Sequence, residues 1–190
     1  GIYEIDGLIL THYDEDHAGG AEAFLSRIRV NALYLPELDD PSGIREALTD
    51  KYSDSIIWIA PDRERPVPGV NITLYSTSAG NSDNESSLCV LFQPENCDIL
   101  ITADRSGRGE RALLVQTQLP DIEILVVGHH GAKSSTSLEL LAATQPEIAV
   151  ISVGKNNNFG HPSREVLDRL ALFGCQVYRT DIQGTITFRG

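Results

Sequence analysis

The five histidines of this 190-residue chain fall in short segments that also concentrate glycine and carboxylate, and none is left for an ordinary surface or core role. Residues Thr11 to Gly20 hold His12, Asp14, Asp16 and His17; His129 and His130 stand between Gly128 and Gly131; His161 stands between Gly160 and Pro162. A further segment, Ala103-Asp104, contributes a carboxylate. His12 and Asp14 are two apart, as are Asp14 and Asp16, and His17 follows directly. In a tight loop that spacing can divide these side chains between two neighbouring ions. Imidazole and oxygen ligands without thiolate suit zinc, manganese or iron. Asp104 can bridge two cations, one oxygen on each. One of His129 and His130 can ligate while the other faces substrate or solvent, and the residues leave open which does which. Plainer readings exist: a solvated acidic loop with helix-capping carboxylates at Thr11 to Gly20, a turn aspartate at 104, and a surface histidine at the start of a helix at 161.

Ligands this far apart in sequence need a scaffold that ends several strands at one edge. The apolar pattern predicts strands at 5–10, 32–35, 56–60, 70–75, 88–92, 99–102, 122–127 and 148–153. Helical spacing covers 20–28, 109–118, 137–143 and 163–173, and Pro41-Ser42 opens a helix running to Leu48. Residues 62–68 read as a charged, proline-rich connector and 76–85 as a polar loop. The chain is expected to close on strands 176–179 and 185–189 across a turn at 181–184. Strand, polar motif and helix recur, which predicts a layered α/β architecture in one domain over residues 1–190.

Composition narrows the function. The net charge is −12, from 27 acidic against 15 basic side chains, so a simple electrostatic binder of nucleic acid is excluded unless bound cations reverse the field at the site. The 3 cysteines, Cys89, Cys97 and Cys175, show no paired spacing and argue against a disulfide framework or a thiolate metal site. No apolar run approaches the roughly 20 residues that cross a bilayer, so the domain is expected to be soluble. The absence of methionine leads us to expect a piece of a larger protein.

Taken together the segments resemble one family. Thr11 to Gly20 is similar to the THxDxDHxGG signature of the metallo-β-lactamase superfamily, in the variant of the ComEC DNA-uptake competence proteins, where Asp14 stands at a position that is histidine elsewhere. Asn84-Glu85-Ser86-Ser87-Leu88 occupies the place of the next histidine in other branches. Ile101-Thr102-Ala103-Asp104 resembles the family strand ending in TGD, with Ala103 for the usual glycine. Val127 to Ser135 resembles VxHHGSxxS, and Ser152 to Pro162 resembles SxGxNNxxGHP; Tyr178 to Gly184 is similar too. The resemblance covers about Ile5 to Phe188, but the GQGD-like segment and LIDGG turn of the family's first strands have no counterpart.

The resemblance implies an α/β fold, the αββα sandwich of the metallo-β-lactamase type lacking its usual N-terminal strands. It implies two divalent ions, zinc or manganese, held by His12, Asp14, Asp16, His17, Asp104, His129 and His161. It also implies hydrolysis of phosphodiester bonds in DNA during uptake, with Asp16 and His130 as catalytic residues and His130 protonating the leaving oxygen or contacting the phosphate. Lys133, Ser134, Ser135, Lys155 and Asn156, adjacent to these segments, are candidate contacts to the nucleic-acid backbone, though each also reads as an ordinary surface residue. The implied partners are single-stranded DNA and, in the full-length protein, a transmembrane DNA-import channel of the bacterial cell membrane; no small organic cofactor is expected. Two alternatives stay open: a hydrolase of a small phosphoester, lactone or thioester, and a non-catalytic metal-binding module of such a channel.

Overall fold

The computed structural model of the protein describes residues 1–78 and 83–189. Strands β1 (Glu4–Ile9), β2 (Arg29–Pro36) and β3 (Ile56–Ile59) pair in that order, all parallel, in a small sheet. A seven-stranded sheet is built from β4 (Arg63–Pro66), β5 (Ile72–Ser76), β6 (Cys89–Phe92), β7 (Ile99–Ile101), β8 (Ile124–Val126), β9 (Ile148–Ile151) and β10 (Gln176–Arg179). Its strands lie in chain order, antiparallel from β4 to β7 and parallel from β7 to β10. The helices are α1 (Glu15–Ala18), α2 (Ala21–Leu25), α3 (Ile44–Tyr52), α4 (Asp83–Ser86), α5 (Gly107–Gln116), α6 (Leu138–Thr144), α7 (Arg164–Leu172) and α8 (Thr180–Gln183).

Alternation of side chains along the strands sets the layers. In β2, Leu33 and Leu35 pack with Ala18, Ala21 and Leu48 from α1, α2 and α3, while Ala32 and Tyr34 turn the other way to meet Ile59, Leu74 and Val90 between the sheets. In the large sheet Leu91, Leu100, Leu125 and Ile151 pack beneath α5, α6 and α7 against Leu113, Leu140, Leu141, Val166 and Leu170. Helices, small sheet, large sheet and helices therefore stack in that order, the αββα sandwich expected from the motifs.

Capping fixes where several helices begin. The hydroxyls of Ser106, Ser137 and Ser163 accept from backbone N–H groups in the first turns of α5, α6 and α7. The cap at Ser106 starts α5 at residue 107, ahead of the 109–118 predicted from apolar spacing. Three expectations are overturned, the first being the end of the expected polar loop 76–85, where residues 83–85 lie in α4. Residues 62–68 hold β4, an exposed edge strand paired with β5, because pairing there comes from the backbone and leaves no burial pattern to read. Residues 185–189 form no strand: the expected turn is α8, and Phe188 packs edge-on against Tyr178 with ring centroids 5.6 Å apart. Part of the expected polar loop, 79–82, lies outside the described residues. No helix among the described residues is long and apolar enough to cross a membrane.

Candidate metal centre

Parallel pairing makes β7, β8 and β9 end at one edge of the large sheet, and the loop after β1 closes on the same edge. Leu88 N–H donates to the Thr11 carbonyl at 2.8 Å and ties that loop to the large sheet; His129 N–H donates to the Ala103 carbonyl at 2.9 Å and ties the loops after β7 and β8. Asp14 occupies the N-cap position of α1, yet its side chain makes no capping hydrogen bond and lies instead 3.7 Å from His12 Nε2. The capping role that composition alone would assign to it is not the one it plays.

Asp104 stands at the centre. Its Oδ2 lies 3.9 Å from His12 Nε2 and 3.6 Å from His129 Nε2, and its Oδ1 lies 3.1 Å from His17 Nε2. Beyond it, Asp16 Oδ2 is 3.8 Å from His17 Nε2 and 3.2 Å from His130 Nε2. Two groups with metal-ligand spacing result: His12, His17 and Asp104, and Asp16, His17 and His130. Asp14, His129 and His161 belong to neither; Asp14 still lies within 4 Å of His12 and His129 within 4 Å of Asp104, whereas His161, its ring centroid 6.1 Å from that of His129, lines the adjoining cleft.

The backbone at this edge is strained. Ala103, His129 and His130 adopt left-handed φ values of 51°, 48° and 54°; such conformations cost roughly 1–3 kcal/mol each and gather at functional sites. Gly131, at φ 83°, lets the turn close on the segment after His161, since a Cβ there would lie 2.6 Å from the Cβ of Pro162.

The unpaired atoms indicate what the site would hold. His12 Nε2 is buried without a hydrogen-bond partner, a condition costing about 1–3 kcal/mol unless something else satisfies it, and His17 Nε2 has only the Asp104 carboxylate, 3.1 Å away. His130 Nδ1 lies 2.8 Å from the Ser152 carbonyl, which can only accept, so Nδ1 carries a proton. In the neutral ring the Nε2 lone pair then faces the Asp16 carboxylate at 3.2 Å, a repulsion that a shared cation or a second proton relieves. Burial and the neighbouring His17 lower the pKa of His12, against the pull of Asp104, Asp14 and Asp16. Burial also draws His17 down, but Asp104, Asp16 and Asp14 outweigh it and its pKa is raised. Asp104 is buried, which alone would raise it, yet His17, His129 and His12 hold it below its ordinary value. His161 is lowered by burial and by His129 and His130. Nitrogen and oxygen donors with unsatisfied atoms facing one another fit divalent cations.

The remaining sequence candidates divide. Lys133 is exposed and paired with Glu165 at 2.8 Å; Ser134, Lys155 and Asn156 are exposed near the cleft loops. Ser135 is fully buried, its hydroxyl within 2.7 Å of the Gly128 carbonyl and 2.9 Å of the Ala132 carbonyl, so it holds the turn and presents nothing to a ligand. Glu85 points away from the histidines: its carboxylate accepts from Gly109 N–H at 2.8 Å and from the Ser106 hydroxyl, docking α4 on α5. Sequence reading missed the Ser152 carbonyl, which has no residue-type signal, and Phe159, which sits inside the motif that carried His161. Asp16, His130, Ser152, Asn157, Phe159 and His161 line a cleft of about 490 Å³. A wider hollow of about 750 Å³ lies by α3, between residues such as Asp39 and Glu46, and contains no imidazole.

Residues 1–155 match the family Lactamase_B, the metallo-beta-lactamase superfamily. The chain is 34% identical over 198 residues to ComE operon protein 3 of Bacillus subtilis (strain 168), covering 100% of this chain and 25% of that protein. It is 31% identical over 191 residues to competence protein ComA of Neisseria gonorrhoeae, covering 99% of this chain and 26% of that one. It is also 31% identical over 184 residues to recombination protein 2 of Haemophilus influenzae, covering 96% and 22%. The chain thus spans about a quarter of the length of these curated relatives. Among solved structures it resembles the metallo-beta-lactamase fold protein YhfI from Bacillus subtilis, with TM-score 0.57 and 14% identity over 92% of this chain and 75% of that one, a likeness of fold alone. The resemblance to competence proteins drawn from the motifs is borne out along the whole domain. With the layered sandwich, the motif-bearing strand ends and the match over most of its length in agreement, the chain belongs to the metallo-beta-lactamase superfamily.

Proposed function

We propose that this chain is the metal-dependent nuclease domain of a competence protein, hydrolysing phosphodiester bonds in DNA. The observation that carries the reading is the buried Asp104 carboxylate, whose two oxygens face different histidines within 4 Å while the buried His12 Nε2 beside it has no hydrogen-bond partner. His12, Asp14, Asp104 and His129 would hold one divalent ion; Asp16, His17 and His130, sharing Asp104, would hold a second. Zinc or manganese there supplies Lewis-acid chemistry, lowering the pKa of water and offsetting charge on the phosphate.

The chain's own residues have distinct tasks. Asp104 fixes the separation of the two groups. The Ser152 carbonyl keeps the proton of His130 on Nδ1 and leaves Nε2 for coordination. That moves His130 from the proton-donor role given by resemblance into the ligand set, and leaves His161, which lines the cleft outside both groups, to contact the phosphate or the leaving oxygen. In a protein of net charge −12, bound cations are what make a polyanionic substrate acceptable at this edge. The names of the relatives, competence protein ComA and recombination protein 2, favour DNA over a small ester. The larger protein is proposed to carry a membrane channel for DNA import, with this domain beside it.

The test is cleavage of single-stranded DNA by the purified protein supplied with manganese or zinc. Asp104→Asn should lower the rate at least about 100-fold and reduce bound metal, measured by elemental analysis. A fully metal-loaded protein that leaves DNA intact and instead hydrolyses a phosphoester, lactone or thioester would transfer the reading to a small substrate.

A further inference from the structure

Phe159 keeps 81% of its surface in water, yet it sits on the wall of the cleft that holds Asp16, His130 and His161. A single exposed apolar side chain is ordinary; this one is held in place. Asn157 Nδ2 donates to the Gly154 carbonyl at 3.2 Å and to the His161 carbonyl at 2.7 Å, and Asn157 Oδ1 accepts from Phe159 N–H at 3.2 Å and His161 N–H at 3.0 Å. Both ends of one amide therefore clamp the loop, and Gly160 turns it at φ 71°. The result is a Phe159 ring stacked against the His161 ring, centroids 5.9 Å apart and planes 19° apart, with the outer face of the phenyl free. The next ring inward, His129, lies 6.1 Å from His161.

Resting on the nuclease reading, we propose that Phe159 is the platform on which a nucleobase stacks, setting the neighbouring phosphate against the metal centre and restricting the substrate to single strands. Every base has a π-face, so such a platform tolerates any sequence. Bases in a duplex are already stacked on their neighbours and offer no free face. The distribution of charge points the same way. Lys133, the cation beside the His129-His130 turn, is engaged by Glu165 at 2.8 Å, which leaves exposed Lys155 as a single lysine in the cleft loops, and the chain as a whole is acidic. Affinity from a basic groove is therefore small, and an aromatic anchor supplies what the backbone contacts do not. Asn157 is the positioning residue behind it.

The experiment is binding of fluorescent phosphorothioate-linked strands, which resist hydrolysis, to the metal-loaded protein, read by anisotropy. Strands with all bases should bind roughly tenfold or more tightly than strands made abasic throughout. Phe159→Ala should remove that preference by weakening only the base-bearing strand, and Phe159→Trp should restore it. The dependence of affinity on salt should be shallow, corresponding to few phosphate contacts. Equal binding of abasic and base-bearing strands by the wild type, no binding of either, or a preference that survives Phe159→Ala would overturn the proposal. The outcome is separable from the fate of the nuclease reading: Phe159-dependent binding without cleavage of natural DNA retains the platform and discards the nuclease, whereas cleavage with no base preference does the reverse.

Discussion

The Thr11 side chain shows how a residue can act on chemistry it does not touch. Its hydroxyl lies 3.0 Å from His12 Nδ1, which leaves Nε2 facing Asp14 and Asp104. Outer partners of this kind orient a ligand ring, and their loss typically weakens metal binding 10- to 100-fold. Thr11→Val is isosteric and should leave the fold intact while lowering metal affinity about tenfold, measured by competition with a chromophoric chelator. Unchanged affinity would show that packing alone holds His12. The candidate ligands were legible in the sequence because residue type and spacing carry coordination chemistry directly. Arg105 was not. Next to Asp104 it reads as a turn residue, but it is fully buried, with Nε donating to the Ser87 carbonyl at 2.7 Å and Nη1 to the Gly109 carbonyl at 3.2 Å. A further partner is the Thr77 hydroxyl, so the guanidinium joins segments far apart in the chain, which leaves no mark in a linear pattern. Ser135 escaped for a different reason: the carbonyls of Gly128 and Ala132, in its own turn, take up its hydroxyl.

Among the elements, the junction of α5 with α6 depends on one carboxylate. Glu110 is buried on α5, and its oxygens accept from Thr136 N–H at 2.5 Å and Ser137 N–H at 2.7 Å, just ahead of α6. Burial raises its pKa, partly opposed by those N–H groups and by Arg169. Glu110→Gln turns an amide NH₂ toward a backbone donor, leaving one buried group unsatisfied. The expected loss is about 1–3 kcal/mol in denaturant unfolding, with metal content preserved because no candidate ligand lies on α5. Strands and helices whose apolar faces enter the core were readable from their apolar pattern, an unbroken run at β8 and helical spacing at α7. What escaped was set by pairing. β4 has no buried face, so its charged side chains look like a linker. Residues 185–189 alternate as a strand should, but α8 turns the chain away and no sheet edge receives them. Strand direction, on which convergence of the loops after β7, β8 and β9 depends, has no local signature in the residues.

At the scale of the molecule, the candidate ligands come from both sheets, so occupancy of the site links their stability. A cation at 100 times its dissociation constant adds about 2.7 kcal/mol, and a chain of this size shifts its melting temperature by roughly 2–4 °C per kcal/mol. EDTA should therefore lower the calorimetric midpoint by about 5–10 °C, recovered on adding zinc or manganese; a midpoint indifferent to chelation would remove the cations from the site. The wide sheet has a second consequence, which begins at its two borders. A strand with a free row of backbone donors invites another chain to extend it. At one border β4 presents Arg63, Glu64, Arg65 and Pro66, all exposed; at the other, Gln183 of α8 occupies the backbone N–H of Arg179 at 2.6 Å. Charge and proline at one side, and a folded-back helix at the other, keep a sheet this broad from recruiting copies of itself. Replacing Arg63, Glu64 and Arg65 together with valine should accordingly convert a stable solution into one that scatters light within hours at unchanged melting temperature, with fibrils as the product rather than amorphous precipitate.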